Sequence, residues 1–255
     1  MLQALLNNKL KDSFKDPYFR PSEDTLTSSV IGLMQYLPNE VIWKLLSQAC
    51  GMKSNLTLNL GNIISFHFWA RWNALGTSNS NFVEPDVWIE TDKYDIIIEA
   101  KKHDSSVSQN KDQWKKELKA LCNERLEDTN KKILFIALGG NESLYNDTVE
   151  VDGQSYTIYT ASWYNLLHAT IIYREECQDS RIIRVMNDLI SAFTIHRIYH
   201  VNWLKTLHRK QMKNSTIQII KSNLEFDNYM ILGGLYRPLR TLKDNKIKLW
   251  KILKS

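Results

Sequence analysis

Apolar residues change period several times along the chain, and each change marks an element. Ser22 suits a helix N-cap, with Glu23 and Asp24 in the first turn. Leu26, Val30, Leu33, Met34 and Leu37 then recur at helical spacing until Pro38. Asn39-Glu40 opens a second helix with Val41, Leu45 and Leu46 on one face. From Ile64 to Trp72 the period is two: Ile64, Phe66, Phe68 and Ala70 alternate with Ser65, His67, Trp69 and Arg71, which predicts a strand. A polar loop, Asn73 to Asn81, follows. Asp86–Glu90 and Tyr94–Ala100 read as two strands around a polar turn. Gln109 to Glu127 reads as a long helix with Trp114, Leu118, Leu121, Cys122 and Leu126 on one face and four lysines on the other. Ile133–Leu138 is wholly apolar and stops at Gly139-Gly140, as suits a strand covered on both faces. A strand at Tyr156–Tyr159, a helix through Trp163, Leu166 and Leu167, and a helix over Arg181–Ile198 complete the regular part. This order predicts an α/β layer fold with a mixed sheet flanked by helices. Further on, Thr216–Lys221, Tyr229–Leu235 and Lys246–Trp250 read as strands.

Composition narrows the class. At 255 residues, 43% hydrophobic and 24% charged, the chain is neither fibrous nor largely disordered, and no apolar run has bilayer-spanning length. Residues 1–11 lack the apolar core of a signal peptide. Cys50, Cys122 and Cys177 are odd in number and lack zinc-ligand spacing, so free thiols in a reducing, cytoplasmic setting are expected. The charge is uneven. Residues 197–255 carry 13 Lys and Arg against three acids, net +10, whereas residues 1–196 carry 20 against 25, net −5. Tyr199, Trp203, Tyr229, Tyr236 and Trp250 are interleaved with that charge. We therefore divide the chain into a core over 1–196 and a basic C-terminal region over 197–255. The latter reads either as a nucleic-acid grip, with Arg209, Lys210, Lys213, Arg237 and Arg240 as phosphate contacts, or as a solvated Lys-rich surface.

The chemistry concentrates at the hairpin. With the turn on Asp92-Lys93, opposed residue numbers sum to a constant that sets Asp86 against Glu99. Opposed side chains lie about 4.5–5.5 Å apart at Cβ on one sheet face. Lys101, two residues on, points the same way. Two carboxylates so close, beside the apolar run Ile96–Ile98, call for a compensating charge. A hard divalent cation, Mg²⁺ or Mn²⁺, supplies it; alternatively, Lys101 is simply their salt-bridge partner.

Pro85-Asp86, twelve residues, then Glu99-Ala100-Lys101 resembles the active-site motif of the PD-(D/E)xK nuclease superfamily, which has a restriction-endonuclease-like fold. Glu117-Leu-Lys119 and Asp244-Asn-Lys246 match the second half of the motif too, but only Glu99-Ala100-Lys101 ends an apolar strand that follows a strand begun by the first acid. The resemblance covers roughly residues 20–175. It implies Mg²⁺-dependent hydrolysis of phosphodiester bonds, of DNA in preference to RNA, with Mn²⁺ able to substitute. Asp86, Glu99 and the Ala100 carbonyl would hold the metal, and Lys101 would serve the attacking water. Many members add an acid from the helix before the first strand. Glu23 is that acid here, unless it merely complements the helix dipole. RecB-type exonucleases carry a Gln and a Tyr four residues apart on the next helix; Gln113 occupies the first position, but Glu117 stands where the Tyr would be, so Gln113, and after it Gln109, is a candidate contact to the metal-bound water or a phosphate, or else a polar helix-surface residue. His103, His67 and Arg71 are weaker candidates for substrate contacts. A homodimer would supply two cutting sites. There is no Walker motif, so any NTP-driven step would need a partner NTPase. The rival reading is an inactive nuclease-like subunit that binds nucleic acid within a larger complex.

Overall fold

A computed structural model of the chain describes residues 4, 21–51, 56, 59–79, 81–104, 107–125, 130–141 and 143–199, together with the backbone of 229–232 and 235–238. The chain falls into two compact units, Met1–His200 and Val201–Ser255. The first contains α1 (Glu23–Met34), α2 (Asn39–Ala49), β1 (Ile63–Phe68), β2 (Trp72–Asn73), β3 (Phe82–Val83), β4 (Val87–Thr91), β5 (Tyr94–Ala100), α3 (Lys111–Glu124), β6 (Lys132–Leu138), β7 (Asp147–Val151), β8 (Gln154–Ala161), α4 (Trp163–Glu176) and α5 (Ser180–Ile195). In the second, β9 (Tyr229–Leu232) and β10 (Leu235–Pro238) pair as an antiparallel hairpin.

The first unit is α/β, built on one mixed sheet in the order β1-β4-β5-β6-β8-β7. β4 is antiparallel to β1 and β5; β5, β6 and β8 are mutually parallel; β7 returns antiparallel to β8. Strand alternation sorts the side chains into two layers. Val87, Ile89, Ile96, Ile98, Leu134 and Ile136 face the core shared with Leu26 and Val30 of α1, Leu45 of α2, Trp163 of α4 and Leu189 of α5. Ile97, Phe135, Ala137 and Ile158 face Trp114, Leu118 and Leu121 of α3. β6 contributes to both layers, which explains its uninterrupted apolar sequence. Each large side chain so buried contributes about 1.5–3 kcal/mol of transfer free energy.

Three differences from the sequence expectation have physical causes. The single strand expected from Ile64 to Trp72 is broken after Phe68, where Trp69 takes a left-handed backbone with φ 52°. Trp72 and Asn73 then pair with Val83 and Phe82 and close the polar loop as a short ladder. β7 lies in a segment for which the sequence pattern predicts no element; Asp152-Gly153, both with positive φ, turns it into a hairpin with β8. The run Tyr229–Leu235, read as one strand, is instead two strands separated by Gly233-Gly234 in sequence. The expected strands at 216–221 and 246–250 lie outside the described residues. Among the described residues, no helix is long and apolar enough to cross a membrane.

Candidate active site

The β4–β5 ladder has the predicted register, with Val87 opposite Ile98 and Glu90 opposite Asp95. Asp86 precedes β4 and Glu99 lies near the end of β5, so both fall at the end of the sheet where the parallel strands β5 and β6 finish. Asp86 is 8% exposed and Glu99 2%. Asp86 Oδ2 accepts from the Ala100 N–H at 2.8 Å, and Oδ1 accepts from Trp69 Nε1 at 3.2 Å. The left-handed turn at Trp69 thus ends β1 and brings the indole to Asp86. Lys101 Nζ lies 2.5 Å from Glu99 Oε1 and 3.5 Å from Glu23 Oε1.

Glu23 reaches this point because α1 begins where it does. The Ser22 side chain accepts from Thr25 N–H while Thr25 Oγ1 accepts from Ser22 N–H, a reciprocal capping box that fixes the helix start. His196, at the end of α5, holds Thr25 Oγ1 through Nε2 at 3.1 Å. Glu23 Oε2 then accepts from Lys102 N–H at 3.0 Å, across 79 residues of chain. Glu23 therefore sits in the first helical turn and also faces the Lys101 ammonium.

From α3, whose first turn is capped by the Asn110 side chain, Gln113 Nε2 donates to Glu99 Oε1 at 2.7 Å. Gln109 lies just before the helix rather than in it. Its Nε2 donates to the carbonyls of Glu99 and Gly139, and its Oε1 accepts from Trp114 Nε1. One turn beyond Gln113 stands Glu117, 1% exposed, whose carboxyl adjoins Glu99 and the Gln113 side chain and whose Oε2 has no hydrogen-bond partner. The motif resemblance assigns Glu117 no role. The signal was its place between Trp114, Leu118 and Leu121, on the buried face of an otherwise Lys-rich helix.

The backbone around Lys101 is fixed from three sides. Lys101 N–H donates to the Leu138 carbonyl, Trp163 Nε1 donates to the Lys101 carbonyl at 2.7 Å, and Gly140 N–H donates to the His103 carbonyl. Asp104 accepts from the N–H groups of Trp163 and Tyr164, tying the same loop to the start of α4. Gly139 and Gly140 have φ 73° and 67°. A methyl group on Gly139 would collide with the Lys101 carbonyl and the Trp163 indole, and one on Gly140 would lie 2.7 Å from Lys101 Cβ.

Burial dominates the electrostatics. It pushes the Asp86 carboxyl well above its ordinary range, the nearby Glu99 adds to the rise, and the Ala100 N–H and Lys101 oppose it. Burial also raises Glu99, against the pull of Lys101, and it raises Glu117 well above the usual range, reinforced by Glu99. For Lys101, burial works downward, but Glu99, Glu23 and Asp86 outweigh it and raise the ammonium pKa. Three acids thus converge on one ammonium, and a fourth, Glu117, adjoins Glu99 and acts on Asp86.

The donor set consists of carboxylate oxygens with no thiolate or imidazole, which suits Mg²⁺ or Mn²⁺ rather than a softer metal. A buried carboxyl oxygen without a partner, Glu117 Oε2, is the kind of group that such a cation satisfies. Lys101 Nζ and Gln113 Nε2 both lie on Glu99 Oε1, and among the described residues no three His, Cys, Asp or Glu side chains stand at ligand spacing.

The weaker candidates have local partners. His67 stacks on Trp88 with centroids 4.4 Å apart and bonds Ser65 Oγ at 2.7 Å; Arg71 pairs with Glu84 and lies over the Phe82 ring. The His103 side chain is exposed. Arg209, Lys210, Lys213 and Arg240 lie outside the described residues, and Arg237 falls in β10, where only the backbone is described. The chain matches no family model, no curated protein and no solved structure.

Proposed function

We propose that this chain is a divalent-metal-dependent nuclease of the PD-(D/E)xK type, with a restriction-endonuclease-like core, that hydrolyses DNA phosphodiester bonds. The observation that carries the reading is the convergence of Asp86, Glu99 and Lys101, with Glu23 from a distant helix, at one end of the sheet. Asp86, Glu99, the Ala100 carbonyl and Glu23 would hold Mg²⁺, and the cation would neutralise charge on the phosphoryl group and acidify a water. Glu99 is oriented for this by Gln113 Nε2. Lys101, kept cationic by three acids, orients the water with its N–H donors and stabilises the negative charge that develops on the phosphoryl oxygens. Trp163 and Gly139-Gly140 hold the Lys101 backbone so that its Nζ stays on the carboxylates.

The test is cleavage of duplex and single-stranded DNA with Mg²⁺, with Mn²⁺ and with chelator. Asp86→Asn, Glu99→Gln and Lys101→Ala should each lower the rate by a factor of about 100 or more, with unfolding midpoints still cooperative. Wild-type cutting by any of the three would remove the assignment. Metal-independent binding without cleavage by the wild type would favour an inactive nucleic-acid-binding subunit instead.

A further inference from the structure

Glu117 is chemically out of place. It is 1% exposed on the apolar face of α3, between Trp114 and Leu118, where a leucine would pack without cost. Burying a carboxyl group is costly unless both oxygens find partners. One side of this carboxyl meets Glu99 and the Gln113 side chain, which lies one helical turn away; Oε2 has no hydrogen-bond partner. Asp86 lies close enough to act on it electrostatically. A structural acid in a helix would be expected to meet a Lys, an Arg or a backbone N–H. Glu117 instead adds a further carboxyl group to a cluster that already holds Asp86, Glu99 and Glu23 around the single ammonium of Lys101. That arrangement destabilises the chain by itself and becomes favourable when a multivalent cation joins it.

Resting on the nuclease reading above, we infer that Glu117 is a further direct ligand of the divalent cation, bound through the unpartnered Oε2. The cluster then draws on four elements: the first turn of α1, the approach to β4, the end of β5 and the middle of α3. The helix becomes part of the metal site rather than a cover over it. Gln113 is the positioning residue between them, since its Nε2 donates to Glu99 and it lies one turn from Glu117 on the same helix face.

The experiment measures Mn²⁺ binding to the full chain, by the loss of the free-ion electron paramagnetic resonance signal and by the cation-induced rise in thermal midpoint, without nucleic acid. Wild type, Glu117→Gln, Glu117→Leu and Asp86→Asn are compared. Both Glu117 variants preserve the side-chain volume, and either one, if folded, decides the matter. The expected result is a loss of Mn²⁺ affinity of about tenfold or more in the Glu117 variants, with a matching loss of the cation-induced shift. Their midpoint without cation should equal or exceed wild type. Affinity within twofold of wild type, alongside lost binding in Asp86→Asn, would overturn the role of Glu117 and leave the nuclease reading standing. A wild-type chain that binds no Mn²⁺ would overturn both.

Discussion

Two glycines with the same backbone conformation stand in opposite surroundings, and they offer a controlled measurement. Gly139 has φ 73° and Gly153 has φ 78°. A Cβ at Gly153 meets nothing within 4 Å, whereas one at Gly139 meets the Lys101 carbonyl and the Trp163 indole nitrogen. Gly153→Ala should therefore cost only the left-handed strain of an L-residue, about 1–2 kcal/mol. Gly139→Ala carries the same strain and also pushes apart the bond from Trp163 Nε1 to the Lys101 carbonyl. Leaving that buried pair unsatisfied costs about 1–3 kcal/mol more. The assay is urea unfolding of both variants against wild type, read as free energy at equal slope, with thermal midpoints as a second reading. Each additional kcal/mol should lower the midpoint by about 2–4 °C for a unit of this size. Equal costs for the two variants would refute the claim that the Gly139 contact locks the Lys101 backbone. Gly140→Ala, whose methyl group would strike the Lys101 side chain, should in addition lower cleavage while the chain stays folded.

Three further outcomes follow from the same geometry. The folded pKa values of Asp86 and Glu117 are raised, so their contribution to stability is fully present below the ordinary carboxylate range and is lost as pH rises through the folded values; the cation-free midpoint should fall over that interval, and Asp86→Asn should flatten the fall. Glu23→Gln should weaken cleavage by about 10- to 100-fold, since the residue contacts Lys101 and the Lys102 backbone; unchanged activity would leave Glu23 with helix capping alone. Neutralising Arg209, Lys210, Lys213, Arg237 and Arg240 together should weaken DNA binding and flatten its dependence on salt, with Mn²⁺ affinity unchanged; an unaltered slope, measured by titration at several ionic strengths, would place the grip elsewhere, for example on the Lys-rich face of α3.

Much of the site was legible because strand pairing is arithmetic. Once the turn lies at Asp92-Lys93, the positions of Asp86, Glu99 and Lys101 follow from period two alone, and the observed ladder has that register. The contact of Glu23 was half legible: Ser22 marks the helix start, but only the packing of α5 on α1 decides what the first turn faces. Glu117 has no role in the motif, which places a tyrosine there, and its burial follows only from the packing of α3 on the sheet. The break at Trp69 was invisible because its cause is tertiary: the pattern Ile64–Trp72 is strand-like throughout, and the left-handed turn is stabilised by the bonds from Trp69 to Asp86. β7 was legible after all, since Val149 and Val151 alternate before an Asp-Gly turn, but acidic residues between them dilute the apolar signal.

The tie between the Trp163 indole and the Lys101 carbonyl spans 62 residues, and that between Glu23 and Lys102 spans 79. During synthesis, a chain emerging from the ribosome carries Asp86, Glu99 and Lys101 long before the residue that fixes their backbone. Until β6 has paired beside β5 and α4 has docked, the acids have no common geometry. Contacts of such separation form late, after the costly closure of long loops. A truncated or half-made product therefore lacks an assembled centre. If the centre cuts DNA, its potency appears only with the completed first unit, a built-in delay that keeps nascent fragments harmless.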